Sequence, residues 1–186
     1  MEPLAHGVGI IALIVSLVAL SRSDNRGLLW WMAAASLLWA MHLGALGAFS
    51  GALMALIAIP RQILTEQARA LGACRRTRLL IAATCTLMIL GAAAYTVGSL
   101  VDALPVAALL LITWIHLFTR GIPFRASFVL GNLLYLGYAL AIGSLTLALA
   151  TLFTLAALAV GIQRMHRAQS RGERIDYGEP APRPRP

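Results

Sequence analysis

Lysine is absent from all 186 residues, and acidic residues number only seven. Without lysine the chain cannot be a retinal pigment of the covalent type, which needs that side chain for its Schiff base. The few carboxylates say more once they are placed: Asp102 lies at the outer mouth of the fifth apolar run and Glu66 just past the third, so none falls well inside a hydrophobic stretch. Proton relays across a bilayer rest on buried carboxylates, so coupled pumping through an acidic relay is disfavoured and a passive or histidine-assisted route is left. Cysteine amounts to Cys74 in a loop and Cys85 in an apolar run, too little for a disulfide framework. Paired carboxylates, HExxH, CxxC and phosphate-cradling glycine loops are missing as well. No enzyme chemistry, metal or cofactor is therefore expected.

What the chain does hold is apolar. With 60% hydrophobic residues, 12% charged and a mean hydropathy of +0.81, it reads as an all-α polytopic membrane protein. Apolar runs cover about Pro3 to Leu20, Leu28 to Phe49, Gly51 to Leu64, Leu79 to Gly98, Ala103 to Thr119, Phe124 to Ile142 and Leu145 to Ile162, which predicts seven transmembrane helices with a short third. All fifteen basic residues are arginine, and all fall in alternate connections: Arg22 and Arg26, then Arg61 to Arg78, then Arg120 and Arg125, then Arg164 onward. That bias puts the amino terminus outside and the carboxyl terminus in the cytoplasm. Met1 to His6 has no basic leader and arginines follow the first run, so that run reads as an anchor rather than a cleavable signal. The sequence pI near 11 comes from arginines beside helix ends, which favours anionic inner-leaflet headgroups over nucleic acid as the partner.

Shifting the chain against itself by 96 residues aligns Leu37-Leu38-Trp39 with Leu133-Leu134-Tyr135 and Ala45-Leu46-Gly47 with Ala141-Ile142-Gly143. The register predicts a 3+1+3 parallel repeat within a membrane domain of residues 1–162: repeat one at 3–64, a linker helix at 79–98 and repeat two at 103–162. Residues 163–186 mix arginine with acid and end in alternating prolines, which predicts a disordered cytoplasmic tail, either a solvated end or a polyproline ligand. Small residues such as Ala94 and Gly98 in span four can serve helix packing within one chain or in a homo-oligomer.

Polar residues inside the bilayer cluster in spans two and six. Ser36, Trp39 and His42 form one stripe, Asn132, Tyr135 and Tyr138 the other, and the same shift superposes them. In hydrocarbon such groups need a partner, a wet cavity or a ligand, so the six are candidates for a solute site; interhelical hydrogen bonding with aromatic packing is the alternative. A metal at His42 lacks a histidine at the same depth, and Ser36 with His42 does not stack as a hydrolase dyad would. Pro60 ahead of Arg61 suggests a kink that aims Arg61, with Arg120, at a cytoplasmic mouth; the alternative is that Arg61 snorkels to the interface. Pro105 and Pro123 read as helix starters.

These residues together resemble the bacterial inner-membrane YgjV family from about His6 to Arg167. The points of likeness are His6-Gly7-Val8-Gly9, the charged turn Ser21 to Arg26, His42 followed by Leu43 to Gly47, Arg61, Leu104-Pro105-Val106 with Thr113-Trp114, Gly143-Ser144 and Arg164. Where the family carries asparagine ahead of that arginine, this chain has Ala58. The resemblance implies a multi-pass protein of the bacterial inner membrane, similar in architecture to PQ-loop and sugar-efflux transporters although no Pro-Gln pair occurs. The expected function is facilitated passage of a small neutral or weakly polar solute between the two three-helix units. A non-transporting scaffold or accessory subunit is the competing expectation.

Overall fold

A computed structural model of the chain describes residues 2–21, 25–119 and 121–171. Among these residues seven helices follow one another: α1 (Glu2–Ser21), α2 (Asn25–Ala45), α3 (Phe49–Ala70), α4 (Arg75–Thr96), α5 (Leu100–Phe118), α6 (Ile122–Ala141) and α7 (Leu145–Ser170). Helix is the form expected of such apolar runs, because it satisfies each backbone amide internally where water is absent. Five of them, α2 from Gly27 and α4 to α7, are long and apolar enough to cross a membrane; the apolar part of α1, Ala5–Leu20, is shorter.

Six helices close a ring. Each contacts its neighbours in the order α1, α2, α3, α5, α6, α7 and back to α1, while α4 lies outside against the α3–α5 seam. Of the α4 side chains only Ala82, Cys85 and Ile89 are buried. A cluster of Met54, Ile57, Ile89, Val106 and Leu109 joins α3, α4 and α5, and two further apolar layers tie the ring together. One joins Leu20, Leu28, Phe124, Phe128 and Leu158 near the α1–α2 end, and the other joins Leu43, Ala52, Tyr138 and Leu147 near the α2–α3 turn. Since lipid is as apolar as these side chains, close packing and dispersion hold the layers rather than escape from water.

The ring requires sharp reversals, and glycine makes them. Gly47 and Gly143 adopt φ of 74° and 71°, left-handed values that would strain any other residue. After each, an amide reaches back over the helix end: Ala48 N–H donates to the Leu43 carbonyl and Ser144 N–H to the Ala139 carbonyl, both at 2.9 Å. Gly72 closes α3 in the same way.

Four expectations need correction. The third helix does not stop at Leu64 but runs to Ala70, so Glu66 lies inside a helix and is buried, and Thr65 to Ala70 is no loop. A carboxylate therefore does sit within a helix of the ring. Helix α7 continues to Ser170, eight residues past the expected end of the membrane domain, so Arg164 and Arg167 belong to a helix rather than a tail. Pro105 falls in the second turn of α5 rather than starting it, whereas Pro123 does sit at the start of α6. Arg120 and residues 172–186 lie outside the described residues.

Candidate functional site

A cavity of about 120 Å³ occupies the middle of the ring, and all six ring helices contribute to its wall while α4 contributes nothing. Such a space has room for several waters or for a small organic molecule in their place. Much of the surface is apolar, from residues such as Met32, Leu109, Ile112 and Phe128. Polar groups stand among them on α1, α2, α3, α6 and α7.

Most of the polar wall satisfies its donors locally. Ser16 donates to the Ala12 carbonyl at 2.8 Å, Ser36 to Met32 at 2.8 Å and Thr151 to Leu147 at 2.7 Å, each one turn back along its own helix. The Asn132 amide does likewise, from Nδ2 to the Phe128 carbonyl at 2.7 Å. Asn132 keeps its second amide proton, whereas the committed hydroxyls of Ser16, Ser36 and Thr151 are left with acceptor oxygens. Trp39 Nε1 and Gln62 Nε2 use two of them, donating to Ser16 Oγ at 3.2 Å and Ser36 Oγ at 3.3 Å.

Of the six expected solute contacts, Ser36, Trp39, Asn132 and Tyr135 line the cavity and His42 and Tyr138 do not. Both of the latter are fully buried in fastening one helix to another. His42 Nδ1 bonds the Ala5 carbonyl at 2.7 Å, and Nε2 lies 3.4 Å from Ser144 Oγ, so one imidazole on α2 ties both α1 and the start of α7. Gly9 admits this contact, since a Cβ there would stand 2.9 Å from His42 Nδ1. The Tyr138 hydroxyl accepts the Gly51 N–H at 3.2 Å, reaching from α6 to the first turn of α3. These two side chains thus fasten helices from positions off the cavity wall. Among the described residues no three His, Cys, Asp or Glu side chains gather as metal ligands would.

Arg61 is the larger correction. Expected at a cytoplasmic mouth or snorkelling to the interface, it sits near the middle of α3, 2% exposed, on the cavity wall. The extension of α3 to Ala70 is the reason, because it leaves more than two helical turns between Arg61 and the helix end. Pro60 lies within the same continuous helix and has no N–H to offer the Leu56 carbonyl, which loosens the backbone just ahead of the arginine. Arg61 Nη1 donates to His116 Nδ1 at 3.2 Å, and His116 packs against Phe124 and Phe128 with ring centroids 4.3 and 4.4 Å away. Arg69, two turns further on, lies over Phe124 and donates to the His116 and Thr119 carbonyls at 2.6 and 2.9 Å, closing the end of α5.

The Imp-YgjV family, described as bacterial inner membrane protein, matches residues 3–169. The chain belongs to that family. Its apolar helices suit multi-pass insertion, so this Imp-YgjV member is a helical protein of the bacterial inner membrane. No curated protein and no solved structure matches it.

Sequence reasoning missed Gln62, Ser16, Thr151 and Thr154 on the cavity wall of this Imp-YgjV chain, and His116 behind it. Thr151 and Thr154 are spaced three apart on one face, a signal that was available. Gln62 was hidden by the short third run, which placed Arg61 and everything after it too near the helix end.

Proposed function

We propose that the protein is a facilitator for a small polar solute, carried through the centre of the helix ring between two three-helix units. One observation carries this reading: the wall of the cavity is assembled from all six ring helices, and none of it comes from α4. Transporters built from repeats hold their solute at the repeat interface near the bilayer midplane. On this reading α1–α3 and α5–α7 are two copies running in the same direction, with α4 as the outside linker. The ring supports that view, because replacing α1, α2 and α3 by α5, α6 and α7 turns every ring contact into another ring contact. So do the matching glycine turns and the paired bonds of Ser36 and Asn132 to Met32 and Phe128.

The arginine bias orients the assembly with the amino terminus outside and the α3–α4 turn in the cytoplasm, beside anionic headgroups. The apolar layers on either side of the cavity would then part in turn, the Leu43 and Tyr138 layer toward the outside and the Phe124 and Leu158 layer toward the cytoplasm. Trp39 and Tyr135 would stack on the solute while Ser36 and Asn132 bond it. The role is transport rather than catalysis.

Purified protein in liposomes tests this. Saturable flux of at least one solute in a panel of sugars, amino acids, vitamins and small acids is expected, reduced by Asn132→Ala and by Trp39→Ala. If no solute gives saturable flux and these substitutions change only thermal stability, the protein is a scaffold.

A further inference from the structure

Arg61 changes what the cavity asks of its occupant. A buried guanidinium normally meets a carboxylate, because an uncompensated charge away from water costs several kcal/mol. Among the described residues the titratable groups that act on Arg61 are His116, Cys85, Tyr135 and Arg69, none of them a carboxylate. The hydrogen bond to His116 adds no countercharge: an arginine cannot accept, so His116 Nδ1 accepts and the imidazole proton lies on Nε2. Arg61 Nε is buried with no hydrogen-bond partner. A cation of fixed planar shape thus stands on the cavity wall with donors to spare.

Its neighbour is incomplete in the opposite sense. Ser36 gives its proton to the Met32 carbonyl and so must accept from Gln62 Nε2, which leaves Gln62 Oε1 buried without any donor. Ser16 and Thr151 likewise offer acceptors rather than donors, and Asn132 keeps an acceptor oxygen beside its second amide proton. The site therefore lacks one negative charge and at least one hydroxyl-type donor. A dianion is a poor match, because a single guanidinium faces into mostly apolar walls. A zwitterionic amino acid would bring a second cation, with no carboxylate on the wall to meet it.

We propose that the cavity binds a small monocarboxylate bearing a hydroxyl group, its carboxylate paired with Arg61 and its hydroxyl donating to Gln62 Oε1. The planar fork of arginine suits a carboxylate, and a water-poor site strengthens the pairing. With Arg61 at mid-helix on the cavity wall, its charge enters the specification of the solute. The assignment rests on the cavity being a solute site, and it is tested by binding, so that its failure is separable from failure of transport.

The probe is lactate, titrated calorimetrically into detergent-solubilised protein, with lactamide as the neutral isostere, propionate as the acid without hydroxyl, and alanine and inorganic phosphate as controls. Lactate is expected to bind at least about tenfold more tightly than lactamide, the size of effect that one charge-assisted pair supplies. Arg61→Met should abolish that preference, and Gln62→Leu should erase the preference for lactate over propionate while keeping that for acid over amide. Arg61→Met should also raise the melting temperature of the ligand-free protein, since it removes an uncompensated buried charge. Arg61→Lys covers the case in which the methionine variant does not fold, and should bind lactate more weakly without binding lactamide better. Equal binding of lactate and lactamide, no binding of any probe at millimolar concentration, or unchanged lactate binding in the folded Arg61 variant would each overturn the assignment. Binding without flux in liposomes would leave it standing and remove transport.

Discussion

The turns joining α2 to α3 and α6 to α7 share a backbone and differ in how they quiet the amides of the helix that follows. At the second, Ser144 precedes α7 and its hydroxyl accepts from Leu147 N–H at 3.3 Å. At the first, Ala48 holds the corresponding place and has no side-chain hydrogen bond to offer. The Gly51 N–H, three residues on as Leu147 is from Ser144, instead meets the Tyr138 hydroxyl from across the ring. One turn solves the problem locally and the other by a bond spanning 87 residues. His42 and Tyr138, 96 residues apart, have correspondingly different partners, His42 reaching the capping serine and Tyr138 acting as the cap itself. A buried polar residue in the last turn of a membrane helix need not face a solute; here its position beside a bare helix terminus decides its role.

This contrast can be broken most severely at Gly51. A Cβ there would stand 2.7 Å from Tyr138 Cε1, so Gly51→Val should destabilise the protein by about 2 to 3 kcal/mol, the scale of an overpacked contact. A thermal melt in detergent reads it, and Tyr138→Leu should recover part of the loss in the double variant. His42→Leu comes next. Losing its links to Ala5 and Ser144 should cost roughly 1 to 2 kcal/mol, from two interhelical bonds and their unpaired partners. Four-fifths or more of solute binding should survive; a binding loss without a stability loss would return His42 to the cavity wall. Tyr138→Phe removes only one bond and should cost about 0.6 to 1 kcal/mol. Ala48→Ser, by supplying the local cap that α3 lacks, should stabilise by about 0.5 to 1 kcal/mol and make Tyr138→Phe nearly silent. If the two substitutions are instead additive, Tyr138 is not serving as the cap.

The mildest probe asks which face carries these turns. Cys74, exposed on the α3–α4 turn, is at the opposite end of the ring from Gly47 and Gly143. The Thr77 side chain and the amides of the following turn hold its thiol below the ordinary range by bonding the thiolate. Its alkylation should therefore reach half its maximal rate at a lower pH than that of a free cysteine, and Thr77→Val should shift that pH upward. An impermeant maleimide should label Cys74 only after the inner membrane is opened. Labelling of intact spheroplasts would reverse the orientation and carry both glycine turns to the cytoplasmic side.

Seven helices, their approximate limits and the reversals at Gly47 and Gly143 were legible in the chain, because apolar length and a glycine at the end of an apolar run are local properties. Ser36, Trp39, Asn132 and Tyr135 were legible only as polar residues sharing one face of α2 or α6, since their spacing alone keeps them there. The limit of α3 was not. Hydropathy ends that helix at Leu64, yet it runs on through Glu66 and Arg69 to Ala70, and Arg61, Gln62 and Glu66 are all buried. A polar helix surrounded by other helices satisfies itself against them and escapes a scale calibrated on lipid.

By itself the sequence determined that the chain is a helical membrane protein, because transfer out of water is a property each segment carries wherever it packs. Only the tertiary structure decided which polar groups face the cavity and which fasten helices. That division depends on contacts between residues far apart in the chain, such as Arg61 with His116 and Tyr138 with Gly51. A hydrogen bond has a direction and a reach of about 3 Å, and neither can be read until the helices are set side by side.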